Sequence, residues 1–571
     1  MLSVMVVTHG IASYVQQCCN FLEANLQGLD YEILLWVPKE KQKIISWAEA
    51  HNIAGCTGDN CTLGAAYALL AAKAQGSQLL FLHDDVVLLP KVIPALLEAL
   101  QNPRVAAAGP YTNRCQYEEQ FVQAPDYNDY QGMLVMGWKV TQEKKIQQVL
   151  FLESFCLLCR RDAYEVIGGF SGELAPVGGE DIDLSFRLRE AGFELALVPA
   201  YVHHERGTLA AQQGEKARPA WQKQVGAVME ERWGLNTCLP EAMWRDALLA
   251  FDWQRGGREL IKASIRSIML SAPLVSIMIP TYNRPSMFEE TLKSALAQTY
   301  PNIEIIVCDN SPNEDTKKLM QKYISDERVR YIWNPEAHSK EENFAPFEKL
   351  AKGEYLQWCM DDDILLPDKL KKMLGVFAKH PQVTLVSSRR GVIDASGKLY
   401  GKALGPEVAG EYGIFDGGEI AKAILFTTAN VIGEPSAVLF RRRDLQDHYW
   451  RADCRGLLTI SDVAMWLQLL EKGEFAIFSE PLSYYRRHAQ QEGQQPEVVL
   501  LARREWVRLA EDYYQRRVFL QTKEDFCRCL RRVVEIAHNF TGEVLTEVTA
   551  EQRQDFLTWL EEVEKRAVYD G

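Results

Sequence analysis

Short apolar runs alternate with helical periodicity along the chain, and they do so twice in the same order. "LSVMVVTHG" (2–10), "DYEILLWV" (30–37) and "QLLFLHDDVVLLP" (78–90) make one series. "VSIMIPTYN" (275–283), "NIEIIVCD" (302–309) and "EYLQWCMDDDILLP" (354–367) make the other. Runs of this length, rich in β-branched and apolar residues, predict buried strands. Between them the period shifts to that of a helix. "VIPALLEAL" (92–100) is one case; "SMFEETLKSALAQ" (286–298) is another, with Met287, Leu292, Ala295 and Leu296 near one face. Strand–helix–strand alternation predicts an α/β fold with a largely parallel, Rossmann-like sheet and helices on both faces. Repetition in order and at near-equal spacing predicts two tandem copies of one domain.

Two stretches depart from the repeat. Residues 210–272 read as helices broken at Gly and Pro, a helical linker before Pro273 opens the second copy. After the polar break "QQEGQQPE" (490–497) the chain reads as amphipathic helices. There "EWVRLAEDYYQRRVFL" (505–520) sets Trp506, Leu509, Tyr513 and Val518 in a broad apolar stripe. The predicted organisation is a first domain at 1–209, the linker at 210–272, a second domain at 273–495 and a helical C-terminal region at 496–571. That region is expected to pack on the second copy or on another subunit.

Composition narrows the function classes. A length of 571 residues exceeds what one core serves. The net charge of −14 argues against nucleic acid as a partner, because phosphate binding needs a basic face. The basic cluster "RRRDL" (441–445) reads first as solvated surface and second as a phosphate contact. The 13 cysteines are scattered through apolar stretches, the usage of a reducing compartment. "CLLC" (156–159) has metal-ligand spacing but no second Cys/His pair to face it. The N-terminus lacks a basic n-region and reads as a strand. No apolar run approaches the roughly eighteen residues that suggest a membrane span. Cytoplasm is therefore the expected location, with peripheral contact at the inner face of the membrane and homo-oligomerisation left open.

The acids then acquire a meaning. In parallel-rich α/β sheets, ligands bind beyond the carboxyl ends of strands. "HDD" (83–85) and "MDDD" (360–363) sit at such ends. Neighbouring carboxylates are tolerated where a hard cation neutralises them, which suits Mn²⁺ or Mg²⁺ shared with phosphate oxygens. An acidic helix start is the other reading; recurrence in both copies favours the metal. A second acid follows in each copy: Asp181 lies 96 residues after Asp85, and Asp462 lies 100 after Asp362. Each opens an amphipathic helix that reaches a Gly, enters a strand and ends in His (His203–His204; His488). Such a carboxylate can serve as general base for an acceptor hydroxyl or as a simple cap, and the histidine as metal ligand, phosphate contact or surface residue.

With these residues assembled, both copies resemble family 2 glycosyltransferases of the GT-A fold, over roughly 2–208 and 273–490. In the second copy the resemblance implies that Pro280, Thr281 and Tyr282 wall the nucleotide base and that Asp309 hydrogen-bonds it. It makes Asp361 a donor-site residue, Asp362 and His488 metal ligands, Ser436 an acceptor contact and Asp462 the base. Met360 stands where the family's first metal-motif Asp is usual. In the first copy, "GGEDIDLSFRLREAGF" is the closer match: Asp181 becomes the base, with Glu180 and Asp183 on the acceptor side. Thr8 and Asp84 take the nucleotide side, and Asp85 and His204 the metal. Val37 occupies the position of Asp309, and His83 that of the first metal Asp, so donor recognition must differ. The resemblance implies a bifunctional, metal-dependent, inverting glycosyltransferase. It would move sugars from nucleoside-diphosphate donors to hydroxyls of a bacterial surface glycan, polysaccharide or O-antigen-like, free or lipid-linked. The alternatives are a flagellin-type protein acceptor, or one catalytic domain beside a non-catalytic acceptor-binding domain. A sugar nucleotidyltransferase is disfavoured, because "VVTHGIASY" and "IPTYNRPSM" lack a Gly-rich phosphate loop.

Overall fold

The fold is described from a computed structural model, for all residues except 9, 60, 116–118, 125–126, 128, 173, 175–178, 206–217, 236–238, 446–456, 489–494, 541 and 569–571. The start of the 210–272 stretch and most of the polar break at 490–497 thus lie outside the described residues. The chain divides into two compact units, Met1–Thr237 with Glu241–Ser271, and Ala272–Gly571 with Cys238–Pro240.

In the first unit the strands are β1 (Leu2–Val7), β2 (Tyr31–Pro38), β3 (Ala54–Gly58), β4 (Gln78–His83), β5 (Val86–Leu88), β6 (Val105–Thr112), β7 (Gln147–Gln148), β8 (Cys156–Arg160) and β9 (Glu194–His204). They pair in the order β3-β2-β1-β4-β8-β6-β9-β5, with β7 beside β9. The second unit repeats this with β10 (Val275–Thr281), β11 (Ile303–Asp309), β12 (Val329–Trp333), β13 (Tyr355–Trp358), β14 (Ile364–Leu365), β15 (Val383–Ile393), β16 (Tyr412–Phe415), β17 (Leu439–Arg441) and β18 (Glu474–Arg486). Its order is β12-β11-β10-β13-β17-β15-β18-β14, with β16 beside β18.

Each sheet is largely parallel, with one central strand reversed and antiparallel pairing again at the far edge. β8 runs antiparallel to β4 and β6, and β17 likewise to β13 and β15. This reversal positions the site: Leu82 pairs with Cys156, so the residues just before β8 lie at the acid-bearing end of β4. β5 and β9 are also antiparallel, with Val86 opposite His204, which returns the histidine to the same end.

Val4, Met5, Val6, Leu80 and Leu82, like Ile277, Ile279, Ile305 and Val307, are wholly buried. Burying each such side chain is worth about 1.5–3 kcal/mol, which explains why continuous apolar runs become central strands. A polar clasp is also repeated. Ser3 Oγ donates to Glu32 and accepts the Gly76 N–H at 2.8 Å; Ser276 Oγ donates to Glu304 and accepts the Gly353 N–H at 2.8 Å. A Cβ at Gly353 would lie 2.5 Å from the Ser276 nitrogen, so the clasp admits only glycine there.

Two expectations change, and the reading of the "CLLC" cysteines as small hydrophobes is kept. The helix Pro285–Leu296 buries Phe288, Thr291, Leu292 and Ala295, so Leu292 and Ala295 of the predicted face are kept and Phe288 and Thr291 replace Met287 and Leu296 in it. "CLLC" is strand β8; Cys156 and Cys159 are free and buried, and burial pushes the Cys159 thiol up to about 12, the state of inert core cysteines. In "RRRDL", Arg441 is buried against Asp444 and the Pro381 carbonyl, and Arg442 binds the Ala351 carbonyl, so these two are structural. The helices after each copy pack within the adjoining unit. In the C-terminal region, Trp506, Leu509 and Tyr513 join the core that contains Trp466, and Val518 lies against it.

Candidate active sites

The three acids of the second unit point to three different partner sets, which is how the sheet accommodates them. Asp361 accepts from Thr281 Oγ1 (2.9 Å) and the Tyr282 N–H (3.2 Å). Asp362 Oδ2 lies 2.9 Å from His488 Nε2. Arg284 Nη1 is 3.3 Å from both Asp361 and Asp362. Asp363 accepts the N–H of Arg486, whose buried guanidinium also holds the Asp362 carbonyl and Glu290. Repulsion nevertheless remains. Burial, then the charge of Asp362, pushes Asp361 up to about 6 and Asp363 well above the usual carboxylate range. Crowded buried carboxylates of this kind favour a cation among them.

The first unit rebuilds two of these pairs. Thr8 Oγ1 donates to Asp84 at 2.6 Å, and His204 Nε2 lies 3.1 Å from Asp85 Oδ1. His204 Nδ1 is 3.0 Å from the Arg114 carbonyl oxygen, which only accepts, so Nδ1 carries the proton. In the neutral ring Nε2 then turns a lone pair towards the Asp85 carboxylate. That arrangement needs a protonated ring or a shared cation, and a lone-pair nitrogen beside a carboxylate oxygen is a donor set that fits a divalent metal.

The expected bases stand at helix starts, as their spacing implied. Asp181 lies in the first turn of the helix Glu180–Glu190 and Asp462 in that of Ser461–Leu470. Both keep a partly exposed surface, yet burial pushes Asp181 up to about 7 and Asp462 up to about 6. In each unit the segment before the reversed strand ties base to acids. Ser154 N–H donates to Asp181 Oδ1 (3.1 Å), while the adjacent Phe155 carbonyl accepts the His83 N–H (3.0 Å). In the second unit Asn430 Nδ2 donates to Asp462 (3.0 Å), and Ser436 Oγ accepts the Met360 N–H (2.9 Å).

Other expected residues are placed differently. Asp183 is fully buried and bound by Arg187, Arg232 and Trp233 Nε1, so it anchors the following helix Arg218–Trp233 rather than facing an acceptor. Ser436 is buried and occupied by Met360, and Glu180 is buried in its helix; neither presents an open acceptor contact. Asp309 is fully buried, with its oxygens accepting from Ser311 N–H and Tyr331 OH (2.6 Å), so it fixes the end of its strand. Pro280 is buried, whereas Tyr282 is 53% exposed and free to line a pocket.

Sequence reading missed Arg284, Arg390 with Glu434, Arg486 and Glu505. Arg390 forms a two-pronged pair with Glu434, which lies next to Pro435 in the bridging segment. Arg486, a charge two residues before His488 at the end of an apolar strand, was the available signal. Glu505 lies in the helix Pro496–Gln515 and is buried. It accepts the N–H groups of Leu458 (2.7 Å), Thr459 (2.8 Å) and Ile460 (3.2 Å), immediately before the Asp462 helix.

Sheet order, reversed strand and strand-end acids together define the GT-A class of nucleotide-sugar transferases. Comparison with known proteins agrees. The family model "Glycosyl transferase family 2" matches residues 276–447, and "Glycosyltransferase like family 2" matches 2–224. Both halves of the chain belong to glycosyltransferase family 2. Among curated relatives, chondroitin synthase of Escherichia coli is 26% identical over 235 residues, 41% of this chain and 31% of that protein. The uncharacterized glycosyltransferase RP339 of Rickettsia prowazekii is 32% identical over 108 residues, 19% of this chain and 33% of that one. Putative glycosyltransferase EpsE of Bacillus subtilis is 26% identical over 207 residues, 36% and 69% respectively. The chain spans about a third of the length of the first two. Among solved structures, TarS 1–349 of S. aureus in complex with UDP-GlcNAc aligns with a TM-score of 0.39 at 15% identity, covering 52% of this chain and 81% of that one.

Proposed function

We propose that the chain is a bifunctional inverting glycosyltransferase that moves sugars from two nucleoside-diphosphate donors to hydroxyls of a bacterial surface glycan. The domains would be 1–209 and 273–495, with 210–272 and 496–571 as helical supports. The observation that carries this reading is that each unit sets an Asp–His pair at one strand end and joins it, through one bridging segment, to an Asp of raised pKa. Recurrence of this arrangement in both units favours two active centres over one catalytic domain beside a binding module.

In this mechanism the acceptor hydroxyl lies against Asp181 or Asp462. The carboxylate takes its proton as the oxygen attacks the anomeric carbon, and the bond to the diphosphate breaks on the opposite face, inverting the centre. Asp85 with His204, and Asp362 with His488, would hold a divalent ion, Mn²⁺ or Mg²⁺, which offsets the charge of the departing diphosphate. Thr8 and Thr281 orient Asp84 and Asp361 beside it. Tyr282 would line the base pocket of the second unit, and Thr8-His9-Gly10 at the position of Thr281-Tyr282-Asn283 favours a different donor in the first. Among the described residues no helix is long and apolar enough to cross a membrane; we place the reaction in the cytoplasm, with lipid-linked acceptors met at the inner membrane face. A protein acceptor would be recognised by transfer to purified polypeptide but not to oligosaccharide. A panel of nucleotide sugars with Mn²⁺ tests the core reading: wild type should turn over two donors, and Asp85→Ala and Asp362→Ala should each lose a different one.

A further inference from the structure

We propose that His83 is a third metal ligand in the first unit, so that His83, Asp85 and His204 bind a transition-metal ion in preference to Mg²⁺. The second unit keeps an oxygen-richer site. This rests on the reading of Asp85 and His204 as metal ligands and adds the chemistry of the ion they select. Among the described residues, these three form the one group of His, Cys, Asp or Glu side chains whose ligand atoms all lie within 4.8 Å of one another. The two imidazole centroids are 5.7 Å apart with their planes at 68°, so the rings stand edge to face rather than stacking each other off the carboxylate.

Both residues are held from outside the cluster, His204 through its ring and His83 through its backbone. The Arg114 carbonyl fixes the His204 tautomer and leaves Nε2 as the nitrogen facing Asp85. The backbone N–H of His83 donates to the Phe155 carbonyl, which sets where the residue sits, and its ring lies nearly parallel to that of buried Tyr67, 6.5 Å away. Such outer contacts preorganise ligands and commonly alter metal affinity by about 10–100-fold when removed.

The second unit makes the contrast. Met360 takes the place of His83, and its N–H goes to Ser436 Oγ as that of His83 goes to Phe155. A thioether is a poor ligand for hard ions, so among the described residues the second unit offers as ligands the Asp362–His488 pair alone and leaves the other positions to water and phosphate oxygens. Oxygen-rich sets accept Mg²⁺, whereas two imidazoles with one carboxylate favour Mn²⁺ through Zn²⁺ in the usual order of affinities. One chain thus carries two metal sites of different selectivity.

The test is metal binding by the full chain in an Asp362→Ala background, which disables the second site. Titration with Co²⁺, followed by its visible absorption and by calorimetry, should show one site that binds Co²⁺ far more tightly than Mg²⁺. His83→Met, which installs the residue of the other unit, and His83→Ala should both weaken Co²⁺ binding by roughly 100-fold and change the absorption, leaving weak Mg²⁺ binding in place. Circular dichroism and the unfolding midpoint of each variant show whether the fold is intact. An unaltered Co²⁺ spectrum and affinity in a folded His83→Met variant, with binding abolished by Asp85→Ala, overturns the role of His83 while the Asp85 site stands. Co²⁺ binding that none of the variants changes overturns both.

Discussion

Glu505 Oε2 accepts the amide hydrogen of Thr459 at 2.8 Å, three residues before Asp462, so a buried acid of the C-terminal region caps the helix that carries the candidate base. The first unit solves the same problem with the donors exchanged. There the acid, Asp183, is on the base helix, and Arg232 and Trp233 of the following helix bind it. In both units, the helices outside the repeat hold the base in place.

Glu505→Gln keeps the size of the side chain but can no longer accept at every oxygen. Misplacement of a catalytic group by about 1 Å costs on the order of 100-fold in rate. The expected outcome is a fall of about 10- to 100-fold in kcat for the second donor, with KM little changed and turnover of the first donor retained. Equal loss for both donors would point to general destabilisation instead.

Asp183→Ala would leave two guanidinium groups and an indole N–H without their buried acceptor. Breaking a buried ion pair from one side costs about 3–5 kcal/mol. A lowered urea or thermal unfolding midpoint is expected. Little change in the midpoint would contradict the anchoring role.

The raised pKa values set a pH dependence. A carboxylic acid with a pKa of about 7, such as Asp181, is protonated and unable to accept a proton below that pH. Asp462, at about 6, stays ionised further into acid. Activity with the first donor should therefore fall on acidification through about pH 7, and activity with the second through about pH 6. A profile of kcat/KM against pH for each donor measures this, and coincident profiles would contradict it.

The two-copy fold, the strand-end acids and the helix-start acids were legible because apolar runs and acid spacing are local signals. The reversal of one central strand was not, because a strand's direction depends on its partners: nothing in "CLLCR" says that β8 runs against β4. Likewise "EDID" marks a helix start but not that Asp181 is partly exposed while Asp183, two residues on, is sealed by Trp233. The role of Glu505 needed the tertiary fold, since it joins residues 45 to 47 positions apart.

The most direct test of two active centres in one chain is donor-resolved transfer by Asp181→Asn and Asp462→Asn. These near-isosteric changes remove the proton acceptor and spare the metal ligands. Each variant should lose one donor's transfer by about 100-fold or more and retain the other. Loss of all transfer in Asp462→Asn, with none lost in Asp181→Asn, would contradict the central claim and leave the second unit as the sole catalyst.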